Sequence, residues 1–202
     1  MSHEWLVVGL GNLGSFYDET RHNVGFEALD LLARKYNLSF QSKSDLKGLI
    51  AKGTLGGASV LMLKPQTYMN LSGHAVVAVM NYYKIELSRL LVLADDAAIP
   101  FGELRIRANS SSGGHNGLKS VEEAIHTDGY ARLRIGVGSP EAGDLSDYVL
   151  GQFSKEEKKL LPEILGRVVQ AVEIWLDKGL TSAMNYANRS STPSIGEEQH
   201  DT

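Results

Sequence analysis

The chain has 202 residues, 43% of them hydrophobic, a formal net charge of −4 and no cysteine. That length predicts one domain around one sizeable core, and the lack of cysteine excludes disulfides and thiolate metal sites. No apolar run reaches the ~18 residues that a membrane span needs. Net acidity argues against a nucleic-acid partner, but its distribution corrects that reading. Residues 190–202, SSTPSIGEEQHDT, hold three acids and no Lys or Arg; taking those three from 24 acids leaves 21 against 20 basic residues. The composition predicts a disordered acidic tail over 190–202, after a near-neutral domain over 1–189 that has room for a local basic face.

Residues 5–8 form a short apolar run bounded by glycine, as in a buried strand. No basic leader precedes it, so it is expected to be a core strand of a cytoplasmic protein, not a signal peptide. A helix is predicted over 24–36 from Phe26, Leu29, Leu32 and Ala33 at helical spacing, with Arg34 and Lys35 in its last turn. QSKSDLK, 41–47, reads as a polar loop. Strands over 48–54 and 58–63 flank Leu55-Gly56-Gly57, a hairpin signal, and a helix follows over 71–83. A third strand spans 90–93 and ends in Ala94-Asp95-Asp96. Residues 103–107 alternate, Leu104 and Ile106 against Arg105 and Arg107, as a half-exposed strand. After the small-residue loop 108–117 come a helix over 118–125, a strand over 132–137 and a long helix over 161–180 with Ile164, Val168, Val172 and Trp175 in one stripe. This alternation predicts an α/β fold with a largely parallel sheet and one hairpin.

Gly9-Leu10-Gly11-Asn12-Leu13-Gly14 satisfies the dinucleotide fingerprint G-x-G-x-x-G and follows a strand. The fingerprint also needs a helix opening within the glycines and an acid about 20 residues on at a strand end. Here SFYDETRHN intervenes before the helix, and Asp30 falls inside the helical pattern. Nucleotide binding is therefore the second reading.

Four loops between strands and helices carry polar residues with no packing purpose: Asn12, Tyr17, His22 and Asn23; Tyr68 and Asn70; Asp95 and Asp96; His115 and Asn116. GLGNLG, TRHNVGF, KPQTYMNLSG, the Asp95-Asp96 pair leading to Pro100, SSGGHNGLKS and RLRIGVG, in this order, resemble bacterial peptidyl-tRNA hydrolases from residue 5 to about 188. The resemblance implies an esterase that frees the peptide from the terminal ribose of peptidyl-tRNA, recycling tRNA from stalled or dropped-off translation. It implies a single α/β/α domain with a twisted, mostly parallel mixed sheet flanked by helices, and a monomer with no metal and no coenzyme. By matching positions it makes His22 the catalytic base and Asp95 the acid beside it. Asn12 corresponds to the residue that favours N-blocked over free aminoacyl esters; Tyr17, Tyr68, Asn70 and Asn116 correspond to tRNA-terminus and substrate contacts. Leu13 replaces the family's usual proline, and Ala98 a frequent acid.

The residue types suit that chemistry. Ester hydrolysis at neutral pH needs a base that is mostly unprotonated yet able to take a proton from water, which histidine supplies. Asn offers a donor and an acceptor without adding charge. There is no G-x-S-x-G elbow for a covalent route, so direct attack by water is the simpler mechanism. Asp95 is preferred to Asp96, since it follows the apolar strand directly and matches the family's acid. His115 is read as packing within its own turn and is left out of catalysis. Arg105, Arg107, Lys119, Arg132 and Arg134, and Lys155, Lys158 and Lys159 at the last helix, are candidates for tRNA phosphates. The loop SPEAGDLSDY carries Glu141, Asp144 and Asp147 where the family tends to be basic. A catalytically silent RNA-binding relative on the same fold is the rival reading.

Overall fold

The structure, a computed structural model, describes residues 3–189; the acidic tail expected over 190–202 lies outside them. Seven strands make one sheet: β1 (Trp5–Gly9), β2 (Gln41–Lys43), β3 (Gly48–Leu55), β4 (Ala58–Pro65), β5 (Leu90–Asp96), β6 (Leu104–Arg107) and β7 (Ala131–Gly136), in the order β2-β3-β4-β1-β5-β7-β6. β4, β1, β5 and β7 are parallel neighbours. Antiparallel pairs extend this centre through β3 and β2 on one side and β6 on the other.

Helices α1 (Val24–Lys35) and α5 (Lys155–Ala187) cover one face; α2 (Ser72–Tyr83) and α3 (Asn116–Ile125) cover the other. β1 shows why its run does not alternate: Val7 packs towards α1 and α5, while Leu6 and Val8 pack towards α2 and α3. A strand covered on both faces must be apolar throughout. On the α5 side Trp175 is buried and meets Trp5 in a T-shaped contact with centroids 4.7 Å apart.

The glycines that mimic a dinucleotide motif bring β1 and α1 together. A Cβ on Gly9 would lie 2.2 Å from the Gly25 carbonyl oxygen, and one on Gly25 would lie 2.7 Å from the Leu93 oxygen. α1 begins at Val24, after two 3₁₀ turns, and Asp30 lies inside it, bonded to Lys64 at 2.6 Å. Neither feature of a nucleotide fold is present at this loop.

Four local expectations are corrected. The polar 41–47 segment contains β2, which pairs with β3 through backbone bonds while its side chains are exposed; an edge strand with both faces wet carries no apolar period. β5 runs to Asp96, pairing Asp95 with Ile135 and Asp96 with Gly136, so both acids lie on the strand end. A short helix, α4 (Leu145–Val149), lies in the 139–152 segment with Asp144 as its N-cap. Finally, α5 starts at Lys155, where Ser154 and Glu157 form a reciprocal capping box, and Pro162 sits within it. Gly179 (φ 81°, ψ 177°) breaks α5 near its end. The chain then brings Asn188 to β6, where its side chain accepts from Ile106 N at 2.7 Å and donates to Ile106 O at 3.1 Å. That amide covers an otherwise unpaired sheet edge.

Candidate active site

The loops after β1 and β4, the end of β5 and the N-terminus of α3 border one cleft of about 570 Å³. It lies at the carboxyl ends of the parallel strands, the usual position for ligands in an open α/β sheet.

His22 lies in a 3₁₀ turn (Arg21–Asn23) directly before α1. The turn is held from behind. Arg21 is buried, donating to Gln152 O at 2.8 Å and Glu157 Oε2 at 2.8 Å, with its guanidinium 4.1 Å from the Tyr148 ring centre. So braced, His22 Nδ1 lies 2.8 and 2.9 Å from the two oxygens of Asp95. Asp96 points elsewhere: it accepts from Ala98 N at 2.8 Å and from Arg134 Nη1 at 2.9 Å, closing the turn after β5.

His115 joins the pair, contrary to its expected place within its own turn. Its Nε2 lies 2.8 Å from Asp95 Oδ1, and its Nδ1 accepts from the amides of Gly117 at 3.1 Å and Leu118 at 3.2 Å, capping α3. These bonds assign the protons. An Nδ1 that accepts from two backbone amides carries no proton, so His115 holds its proton on Nε2 and donates it to Asp95. The carboxylate likewise draws the His22 proton to Nδ1, leaving His22 Nε2 with a lone pair on the cleft side. Burial opposes charge on Asp95, yet the adjoining His115 and then His22 outweigh it and hold its carboxyl well below the usual carboxylate range.

His22, Asp95 and His115 place their ligand-type atoms within 4.8 Å of one another. A cation there would have to displace both shared protons, and ligation by His115 Nε2 would force a proton onto the Nδ1 that caps α3. The donor set suits a proton relay better than a metal.

Asn12 is fixed on three sides. Asn23 accepts from Asn12 N at 2.8 Å and donates to Asn12 O at 3.1 Å, while Asn12 Oδ1 accepts from Met69 N at 2.9 Å. The Oδ1 bond ties the β1 loop to the β4 loop and turns the Asn12 side-chain NH₂ into a fixed donor for the cleft. Tyr68, Asn70 and Asn116 also line the cleft, Asn116 as the first residue of α3. Tyr17 does not; it stands on a neighbouring 3₁₀ turn with its ring against Phe16.

The expected basic face is reduced. Arg132 is fully buried, bonded to Glu122 Oε1 at 2.8 Å and to the carbonyls of Ser110 and Asp128, and it stacks on Tyr130. It is a brace for the 108–115 loop and is closed to phosphate. Arg134 lines the cleft but also holds Ser111 O, and Lys158 is bonded to Glu19 at 2.9 Å. Arg105, Arg107, Lys119, Lys155 and Lys159 remain exposed.

A sequence model of the family described as peptidyl-tRNA hydrolase matches residues 6–194. The chain belongs to this family. Peptidyl-tRNA hydrolase of Alkaliphilus oremlandii is 50% identical over 183 residues, which cover 91% of this chain and 98% of that protein. That of Chloroflexus aurantiacus is 49% identical over 186 residues, again 91% and 98% of the two chains. The crystal structure of peptidyl-tRNA hydrolase from Acinetobacter baumannii matches with a TM-score of 0.87 and 35% identity, over 93% of this chain and 96% of that one. The motifs quoted from the sequence therefore lie within a match that runs nearly end to end.

Two groups of the site escaped sequence reasoning. G-G-H-N-G reads as a turn, and an imidazole acting as a helix cap leaves no periodic trace, so nothing in the sequence brings His115 to Asp95. Asn23 stands beside His22 in the motif, but its reciprocal bonds to the Asn12 backbone depend on the fold of the loop.

Proposed function

We propose that this chain hydrolyses the ester between the peptide, or an N-blocked aminoacyl group, and the 3′-terminal ribose of peptidyl-tRNA, with His22 as general base. The observation that carries this reading is the cluster in which Asp95 accepts hydrogen bonds from both His22 Nδ1 and His115 Nε2, leaving Nε2 as the free ring nitrogen of His22, which lines the cleft. A water molecule hydrogen-bonded to Nε2 loses its proton there as its oxygen attacks the ester carbonyl carbon. Asp95 stabilises the imidazolium that forms. The Asn12 side-chain NH₂ and Asn116 are the neutral donors available to the developing oxyanion. Collapse of the tetrahedral intermediate breaks the bond to the ribose oxygen, which takes the proton back from His22 Nε2. Asn70 orients the peptide backbone, and Tyr68 and Tyr17 contact the tRNA terminus. Preference for an N-blocked group follows from the fixed Asn12, which presents a donor where a free ammonium would need an acceptor.

The enzyme works as a cytoplasmic monomer without metal or coenzyme, and its partner is the single-stranded acceptor end of peptidyl-tRNA. Incubation with an N-acetylated aminoacyl-tRNA and with its unblocked counterpart tests the reading: release from the first and not the second is expected. Release from neither would favour the rival RNA-binding module. Turnover at the wild-type rate in His22→Ala, or a trapped acyl-enzyme, would overturn the assigned mechanism.

A further inference from the structure

Among the described residues, the exposed large apolar side chains are Leu13, Phe16, Tyr68, Leu71, Leu145, Leu150 and Tyr82. All but Tyr82 lie on segments that supply the cleft lining. Phe16 is the most exposed, at 85%, and Leu13 three residues earlier is 43% exposed. Neither has a role in the relay or in the core.

The turn that carries Phe16 is closed by hydrogen bonds. Tyr17 N donates to Gly14 O at 3.0 Å, Thr20 N and Oγ1 donate to Tyr17 O at 3.2 and 2.7 Å, and Gly14 has the positive φ of 105° that lets the turn begin. Tyr17 meets the Phe16 ring in a T-shaped contact, with centroids 5.3 Å apart and planes at 87°. The phenyl thus rests on one ring edge while most of it faces solvent. Such a ring needs a flat apolar partner.

Charge narrows the choice of partner. Asp18 and Glu19 follow directly, the nearby Lys158 is taken by Glu19, and Glu141, Asp144 and Asp147 are exposed on the segment that brings Leu145 to the cleft. An anionic group is repelled from such a rim. An uncharged nucleobase is not, because it stacks through its π face without bringing its phosphate against the ring.

We infer that Phe16, flanked by Leu13, stacks a nucleobase of the unpaired acceptor end, upstream of the terminal adenosine whose ribose sits at His22. The inference rests on the function proposed above.

Steady-state kinetics on two substrates test it: an N-acetyl-aminoacyl-tRNA, and the same N-acetyl-aminoacyl group esterified to adenosine alone. Phe16→Ala is expected to raise KM on the tRNA substrate about fivefold or more, since base–aromatic stacking contributes at least ~1 kcal/mol, with kcat retained. Phe16→Trp should restore KM, and on the adenosine ester the Ala variant should match wild type. An unchanged KM on the tRNA substrate, or an equal rise on both substrates, would overturn the inference while leaving the function intact. Wild-type protein that cleaves neither substrate would overturn the function and this inference with it. A dimer in sedimentation velocity that Phe16→Ala abolishes, with KM unchanged, would assign the ring to self-association instead.

Discussion

His115 donates its Nε2 proton to Asp95 Oδ1 at 2.8 Å, the same oxygen that His22 Nδ1 approaches at 2.8 Å. One carboxylate thereby sets the ring orientation of the base and of a second histidine whose other nitrogen caps a helix. Catalytic geometry and the stability of α3 are coupled through one side chain, and the coupling can be separated by substitution.

His115→Ala removes the bond to Asp95 and both cap bonds to α3, so kcat and stability should fall together, with a stability loss of about 1 kcal/mol from the helix cap. His115→Asn keeps an N-cap acceptor but is too short to hold Asp95 in the same way. Thermal melting should return towards wild type in the Asn variant while kcat stays low. Recovery of kcat alongside stability would mean that His115 serves only the helix.

Asp95→Asn should cost about 10²–10⁴ in kcat, the range usual for loss of general-base function, because an amide no longer draws the His22 proton to Nδ1. It should also alter acid stability. The folded Asp95 stays ionised to lower pH than its unfolded counterpart, so its stabilising effect is complete above the unfolded value of about 3.9. It is lost as pH falls below that value towards the lower folded one, since the unfolded chain then binds the proton first. Denaturant titrations between pH 5 and 2.5 should show a shallower acid limb in Asp95→Asn than in wild type.

Arg132→Ala should destabilise the fold by about 3 kcal/mol, since Glu122 and the carbonyls of Ser110 and Asp128 lose a buried partner. Activity should fall through the loop that presents His115 and Asn116. The salt dependence of KM should keep the wild-type slope, because a fully buried guanidinium neutralises no phosphate. A shallower slope in a folded variant would show that Arg132 does reach the RNA.

Glu27, in the first turn of α1, has an oxygen with no hydrogen-bond partner. Burial, then repulsion from Glu19 and Asp30, raises its carboxyl to about 7 against the pull of Lys158, with Asp18 adding a little. Here the folded chain binds the proton more tightly than the unfolded one, so stability declines as pH rises from about 4.5 towards 7 and stays lower above that. Glu27→Gln should raise stability by about 1–2 kcal/mol at pH 8, after allowance for solvent screening. At pH 4.5 it should change little. Equal gains at both pH values would point to packing and not to charge.

The sequence by itself determined the parallel α/β centre, the hairpin of β3 and β4, and the place of His22 just ahead of α1. These are local signals: a strand covered on both faces is apolar throughout, and an amphipathic helix repeats along its own axis. The order of the motifs also carried the family. Tertiary structure alone decided which polar groups meet. Asp95 and His115 are 20 residues apart and Asn188 is 82 residues from Ile106, and no periodicity reports a pair of that kind. Arg132 shows the same division from the other side. Its charge reads as an offer to RNA, but Glu122 and three backbone carbonyls take up both of its terminal nitrogens inside the fold. Hydrophobic pattern records whether a residue is buried; hydrogen-bond partners depend on where two distant backbones are brought together.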